Sequence, residues 1–148
     1  MTGILIDTNV LVYSCDLAEP EKRTQAKQIL ARLQVENVGC FSVQCIAEFF
    51  HATTRGASPI LTVQEAVEQA GILLASFPTF PLTPMVLDTA MRAAREHRLS
   101  YYDAQIWACA QLNQIPVVFS EDFSDGQILE GVRFVNPFTE YFKLEDWI

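Results

Sequence analysis

The sequence predicts an α/β fold in which helices cover both faces of a mostly parallel sheet. Three observations carry that expectation. Short apolar runs at residues 3–6, 38–41 and 116–119 have the length of buried strands. The segments between them repeat apolar residues at helical spacing and are long enough for parallel crossovers. The chain of 148 residues is 50% hydrophobic, which suits a single domain over residues 1–148 with its own core.

The elements follow in order. Residues 3–6 read as a buried strand, and residues 8–13 as the first turns of a helix with Asp7 or Thr8 at its cap. Residues 19–33 form an amphipathic helix, since Ala26, Ile29, Leu30 and Leu33 recur at spacings of three and four. After the strand at 38–41, Ser42 opens a helix whose expected apolar stripe is Val43, Ile46, Ala47 and Phe50. Residues 55–59 are a loop. Thr62 and Glu65 stand in capping-box register at the next helix start. A third strand is expected at 80–82. Thr83-Pro84 then starts a helix that runs to about residue 97. Ser100 is expected to cap the helix that runs to about residue 113, with Asp103 completing a capping box. Residues 116–119 and 133–135 are the last strands, and Gly126 and Gly131 frame a turn or a single helical turn between them. The tail TEYFKLEDWI is aromatic and suits packing on the domain or on a partner.

A net charge of -8 argues against a non-specific nucleic-acid coat, which carries a basic surface. It leaves room for a nucleic-acid enzyme whose acids bind metal and whose basic residues form a local strip. No apolar run approaches the roughly 20 residues that span a bilayer. No basic stretch followed by an apolar one marks a secretory signal, so a cytoplasmic location without membrane association is expected. Cys15, Cys40, Cys45 and Cys109 form no CxxC pair, and with His51 and His97 they do not suggest zinc; reduced thiols are expected.

In open parallel sheets, ligands bind beyond the carboxyl ends of the strands. Asp7 follows one apolar strand and Ser120-Glu121-Asp122 follows another, so both acidic segments should share one sheet edge. Singly, most of the acids have local explanations: Asp7 as a helix cap, Asp103 as a capping-box acid, Asp122 and Asp125 as turn residues. Glu48 does not. It borders the buried face of a mostly apolar helix, with no lysine in the preceding turn, and a carboxylate held near a core needs a partner. Gathered acids repel by roughly 1 to 4 kcal/mol per pair at about 4 Å, and such a cluster keeps a proton or recruits a cation. All-oxygen ligands point to Mg2+ or Mn2+.

The segments ILIDTNVLVY, AEFF, LSYYDAQIWACA and VVFSEDFSDG, in this order and spacing, resemble a PIN domain, and in particular the VapC-type toxin ribonucleases of bacterial toxin–antitoxin pairs. The resemblance runs from about Ile4 to Pro137. It implies a three-layer α/β/α sandwich with a sheet of about five strands. It also implies Mg2+- or Mn2+-dependent cleavage of single-stranded or looped RNA, an antitoxin partner and a homodimer. Asp7, Glu48, Asp103 and Asp122 match the family's acids, with Asp125 open as an additional or replacement ligand. Asn9 and Ser120 match its supporting polar positions. In this reading Asp7 and Asp103 hold the main metal, and Glu48 holds or deprotonates the attacking water. Asp122 acts through water or a second ion, Ser120 orients Asp7 or Asp122, and hydrolysis leaves a 5′-phosphate and a 3′-hydroxyl.

For the RNA backbone, Arg92, Arg95 and Arg98 recur on one helix, with two uses open: pairing with nearby acids or contact with phosphate. Arg55 and His51 are further candidates. Tyr101 and Tyr102 suit base stacking or core packing, and Trp107 suits the core. Two rivals use the same acids. A haloacid-dehalogenase-like phosphatase would want a second aspartate where Asn9 stands, and a lysine after a later strand. A receiver-like or scaffold module would hold a structural Mg2+ without catalysis.

Overall fold

The computed structural model describes residues 3–148. Six strands form one sheet in the order β3-β2-β1-β4-β6-β5. At its centre β1 (Ile4–Ile6) pairs in parallel with β2 (Gly39–Ser42) on one side and β4 (Val117–Phe119) on the other. Beyond β2 lies β3 (Thr79–Phe80), and beyond β4 lies β6 (Val132–Val135), both parallel to their neighbours. Side chains along a strand alternate between the faces of a sheet, yet Ile4, Leu5 and Ile6 are all buried. Both faces are therefore covered, which makes the expected three-layer α/β/α sandwich. The run is continuous rather than alternating because neither face meets water.

The helices are α1 (Thr8–Tyr13), α2 (Pro20–Val35), α3 (Val43–Thr54), α4 (Val63–Ser76), α5 (Pro84–His97) and α6 (Tyr101–Leu112). None among the described residues is long and apolar enough to cross a membrane. Their starts follow from local chemistry. Ser42 Oγ accepts from the Cys45 N–H, Thr83 Oγ1 accepts from the Val86 N–H, and Thr62 with Glu65 forms the full capping box. At its C-terminus α5 closes on Arg98, which takes the left-handed conformation at φ 55.

Four expectations are corrected. The third strand ends at Phe80, because Pro81 and Pro84 deny the following segment its ladder donors. Between Gly126 and Gly131 lies no helical turn but a short strand, β5 (Ile128–Leu129), folded antiparallel onto β6 at the edge of the sheet. In α3 the buried residues are Gln44, Cys45, Ile46, Phe49 and Thr53, while Val43 and Ala47 face outward. Apolarity misled there because a cleft lies along that side. Finally, Ser100 makes no side-chain cap, so Asp103 is not held in a capping box.

The tail packs on the domain: Phe142 and Trp147 meet the buried Phe119 edge-on, at ring-centroid distances of 5.4 and 6.3 Å. The four cysteines are free. Burial pushes the Cys40 thiol up to about 12 and the Cys109 thiol up to about 11, so both stay protonated.

Gly39 tests the packing between sheet and helices. A Cβ there would sit 2.9 Å from the Phe77 ring and 3.0 Å from Leu33 Cβ. Gly39→Ala should lower stability by about 1–3 kcal/mol, read as a lower urea midpoint with unchanged slope.

Candidate active site

Because β1 and β4 are parallel neighbours, the residues that follow them emerge at one edge. The Asp7 N–H still bonds the Phe119 carbonyl at 3.0 Å, which sets Asp7 beside Ser120. Asp7 is buried, at 3% exposure. One of its carboxylate oxygens accepts from the Thr8 N–H at 2.7 Å, and the other accepts from Ser120 Oγ at 2.7 Å. Asp7 is thus both the cap of α1 and the buried end of a polar network.

Ser120 Oγ fills its capacity of one donation and two acceptances. It donates to Asp7 and accepts from the Asn9 amide at 3.1 Å and the Asp122 N–H at 3.1 Å. It therefore orients Asp7 and the Asp122 backbone together. Asn9 reaches further: its amide also lies 3.2 Å from an Asp122 carboxylate oxygen, and its carbonyl accepts from the Glu121 N–H at 3.3 Å. One short turn of helix thereby fixes the loop after β4.

Glu48 arrives from α3. Thr8 Oγ1 donates to one of its oxygens and the Gln44 amide to the other, each at 2.9 Å. Gln44 accepts in turn from the buried Gln105 of α6 at 2.6 Å and donates to the Tyr102 carbonyl at 3.1 Å. The partner of Glu48 is therefore a pair of neutral donors rather than a cation. The sequence reading missed Thr8, Gln44 and Gln105. The signal available was two glutamines on helices otherwise dense in apolar residues.

Glu121 turns away from this group. Tyr13 Oη donates to it, and Lys22 of α2 reaches it at 3.2 Å while also lying 4.6 Å from the Tyr13 ring centroid. The Tyr13 hydroxyl is held above its usual range by burial and by the Glu121 carboxylate. These contacts leave Asp122, not Glu121, to join Asn9 at the cleft.

The cleft beside these residues is about 940 Å3, within the roughly 300–1,000 Å3 typical of ligand sites. Thr8, Asn9, Glu48 and Asp122 line one part of it; Tyr102, His51 and Arg55 also line it. Arg92, Arg95 and Arg98 do not. Arg92 bonds Glu96 and Glu130 at 3.0 Å each, and Arg95 lies 3.7 Å from Glu96, so these two take the ion-pair use. Arg98 is exposed at the end of α5. Asp125 accepts from the Asn136 N–H at 2.8 Å and lines a separate hollow near the tail, so it stays apart from the other acids. Trp107 is buried and its indole N–H bonds the Leu129 carbonyl at 3.1 Å.

Burial raises the Asp7 carboxyl from 3.8 to about 7, with the charges of Asp122 and Glu48 adding to it against the Ser120 and Thr8 hydrogen bonds. Partial desolvation also raises Asp122, opposed by the Asn9 amide and helped by Asp103 and Glu121. Asp103 thus acts on the same group through its charge. The carboxylates are more widely spaced than expected. Among the described residues, the one trio with ligand atoms within 4.8 Å of one another is Glu96, His97 and Glu130, where Arg92 already supplies the cation. The donor set at the cleft still fits a hard divalent ion. It is all oxygen, it holds a buried carboxylate with no cation among the described residues, and Mg2+ takes one or two carboxylates directly while keeping several waters. Asp7, Asp122 and Asp103 would hold such an ion.

A family model described as the PIN domain matches residues 4–124. No curated protein matches the chain. Among solved structures, a toxin–antitoxin complex from Klebsiella pneumoniae is similar, with TM-score 0.65 and 20% identity over 92% of this chain and 98% of that one. VapC20 of Mycobacterium tuberculosis, a sarcin–ricin-loop-cleaving toxin, has TM-score 0.66 and 22% identity over 88% and 99%. DNA-bound VapBC from Salmonella typhimurium has TM-score 0.66 and 14% identity over 90% and 97%. At these identities the likeness is one of fold.

Asp7 gives the site a pH signature. Its carboxyl holds a proton up to about 7 when folded but only to 3.8 when unfolded, so folding takes up a proton between those values. Its contribution to stability is full below about pH 4 and is lost as pH rises to about 7. Asp7→Asn should remove that part of the pH dependence, read as the difference between wild-type and variant unfolding curves across this range. Mn2+ should raise the melting temperature of the wild type more at about pH 8 than at about pH 5, because the proton and the ion compete for the same carboxylate.

Proposed function

The chain belongs to the PIN domain family, and from that premise we propose that it is a divalent-metal-dependent endoribonuclease, the toxin of a toxin–antitoxin pair. The observation that carries the nuclease reading is the Asp7 carboxylate, raised first by its burial and then by the charges of Asp122 and Glu48, with no cation beside it among the described residues. The RNA substrate is supported by the fold shared with a sarcin–ricin-loop-cleaving toxin. The antitoxin partner is supported by the fold shared with a toxin–antitoxin complex and with VapBC.

Asp7, Asp122 and Asp103 would hold a divalent ion, which would supply positive charge where negative charge develops on the phosphate and would make an adjacent water more acidic. The chain's own residues do the rest. Glu48, pinned at both oxygens, is fixed to take a proton from the attacking water. As the water oxygen bonds phosphorus, the P–O3′ bond breaks and the departing oxygen takes a proton from solvent. The products are a 5′-phosphate and a 3′-hydroxyl. Ser120 and Asn9 keep Asp7 and Asp122 in register through the exchange.

The test is cleavage. With Mn2+ or Mg2+, purified protein should cut a structured RNA to 5′-phosphate ends. Asp7→Asn and Asp103→Asn should each lose about 100-fold or more, since several kcal/mol of charge stabilisation goes with a lost ligand. Ser120→Ala should lose about 10- to 100-fold through misplacement of the ligands. Arg92→Ala should cut as the wild type does, because its guanidinium is spent on Glu96 and Glu130. Equal cleavage by wild type and Asp7→Asn would assign the activity to a contaminant. Mn2+ binding without any cleavage would make the chain a metal-holding scaffold.

A further inference from the structure

The acids occupy only part of the cleft. Along α3 and its C-cap residue, Gln44, Glu48, His51, Ala52 and Arg55 follow one another at helical spacing, and all of them line it. That stripe passes from the carboxylate to a basic end within seven residues, or about 10 Å along the helix axis. Arg55 is exposed and makes no ion pair among the described residues, unlike Lys22, Arg32, Arg92 and Arg95. The rest of the lining includes accessible apolar and aromatic side chains: Val43 is 45% exposed, Leu82 47% and Tyr102 65%. Tyr102 touches Tyr101 edge-on, with ring centroids 5.3 Å apart, while its backbone carbonyl is tied to Gln44 at 3.1 Å. A ring fixed at its base and open to solvent beside a hydrolytic centre is a surface for a flat ligand.

We propose that this part of the cleft seats one unstacked nucleobase of the RNA strand, with Tyr102 as its stacking surface and Arg55 as the contact for a nearby phosphate. The proposal rests on the endoribonuclease reading and deepens it by assigning the residues that seat a base and a phosphate next to the cut. Charge decides between this occupant and an apolar peptide. An uncommitted guanidinium about 10 Å along the helix from Glu48 matches a phosphate within about three stacked nucleotides, fewer if the strand is extended. Single-strand sites combine these same two elements, aromatic stacking and a cationic track.

The experiment is a cycle between enzyme and substrate. An RNA that the wild type cuts is remade with a single abasic nucleotide at each position flanking the cut. At one position the loss of the base should lower kcat/KM by about 5- to 100-fold, the range expected for one stacked base. Tyr102→Ala should show a similar loss on intact RNA, carried by KM, and should lose nothing further on that abasic strand. Tyr102→Phe should behave as the wild type, because stacking needs the ring and not the hydroxyl. Arg55→Ala should weaken anisotropy-measured binding of the intact strand in Ca2+ and reduce the salt slope by about one. Tyr102 is exposed, so an unchanged thermal midpoint for Tyr102→Ala is expected and checks that the fold is kept.

Abasic and Tyr102→Ala losses that multiply at every position would overturn the subsite, as would Tyr102→Ala cutting with wild-type KM. In either case loss of cleavage in Asp7→Asn would leave the nuclease reading standing. A wild type that cuts no RNA removes both.

Discussion

The hydrogen bond from Ser120 Oγ to Asp7 is the contact on which the rest of the site depends. It joins the ends of two strands far apart in sequence, and it exists because β1 and β4 are parallel neighbours in register. Parallel pairing carries both carboxyl ends to one edge, so two acidic segments meet with no further device. The bond also sits where a failure would be expensive. Asp7 is buried, and a buried carboxylate without donors would be a heavy charge on stability. Ser120 and the Thr8 N–H reduce that penalty without removing it, since the carboxyl still rises to about 7. The fold therefore tolerates an acid it has not neutralised.

The distribution of cations sharpens this. Ten basic residues face eighteen acids. Arg92 goes to Glu96 and Glu130, Arg32 to Glu36, and Lys22 to Glu121. Among the described residues Asp7, Glu48, Asp103 and Asp122 receive none, and the donors that reach Asp7, Glu48 and Asp122 are hydroxyls, amides and a backbone N–H group. Neutral donors fix a carboxylate's position while leaving its charge in place. That is the condition for a site whose counter-charge comes from solution. The Lys22 pairing with Glu121 fits the same division: the acid beside Asp122 is neutralised on the far side of the loop, and the one that faces the cleft is not.

Much of this was legible in the chain. Short uniformly apolar runs mark strands buried on both faces, and an acid directly after such a run is placed by topology alone. Glu48 stood out because its neighbours are apolar. What stayed illegible depended on long-range contacts. Val43 and Ala47 look like core, yet they turn outward, because a helix that borders a cleft has a third environment that the two-way split into core and solvent omits. Ser100 and Asp103 have the spacing of a capping box, but spacing does not fix the backbone that lets the side chain reach, and Asp103 is left for another use. Arg92 and Arg95 had two destinations, and only the hairpin at β5 and the charge of Glu96 decide them. Asp125 was open because five residues around Asp122 carry three acids; its bond to the Asn136 N–H depends on a partner eleven residues away that the local sequence does not reveal.

The spacing of the carboxylates is the least expected feature, and it follows from the elements that carry them. Asp7 and Asp122 come from strand ends, Glu48 from the middle of α3 and Asp103 from the first turn of α6. Asp7, Glu48 and Asp122 are anchored by their own neighbours, so none of the three is free to collapse onto another. A tight trio forms instead at Glu96, His97 and Glu130, where a guanidinium is already present to bind it together. Without a cation, four acids held on rigid elements settle at the separation their anchors allow. A hydrated ion, which binds partly through its own waters, can bridge that separation where a bare side-chain cation would have to be long enough to touch each oxygen. The open spacing and the missing cation are thus two consequences of one arrangement: acids fixed by neutral donors around a space wide enough for an ion and its water.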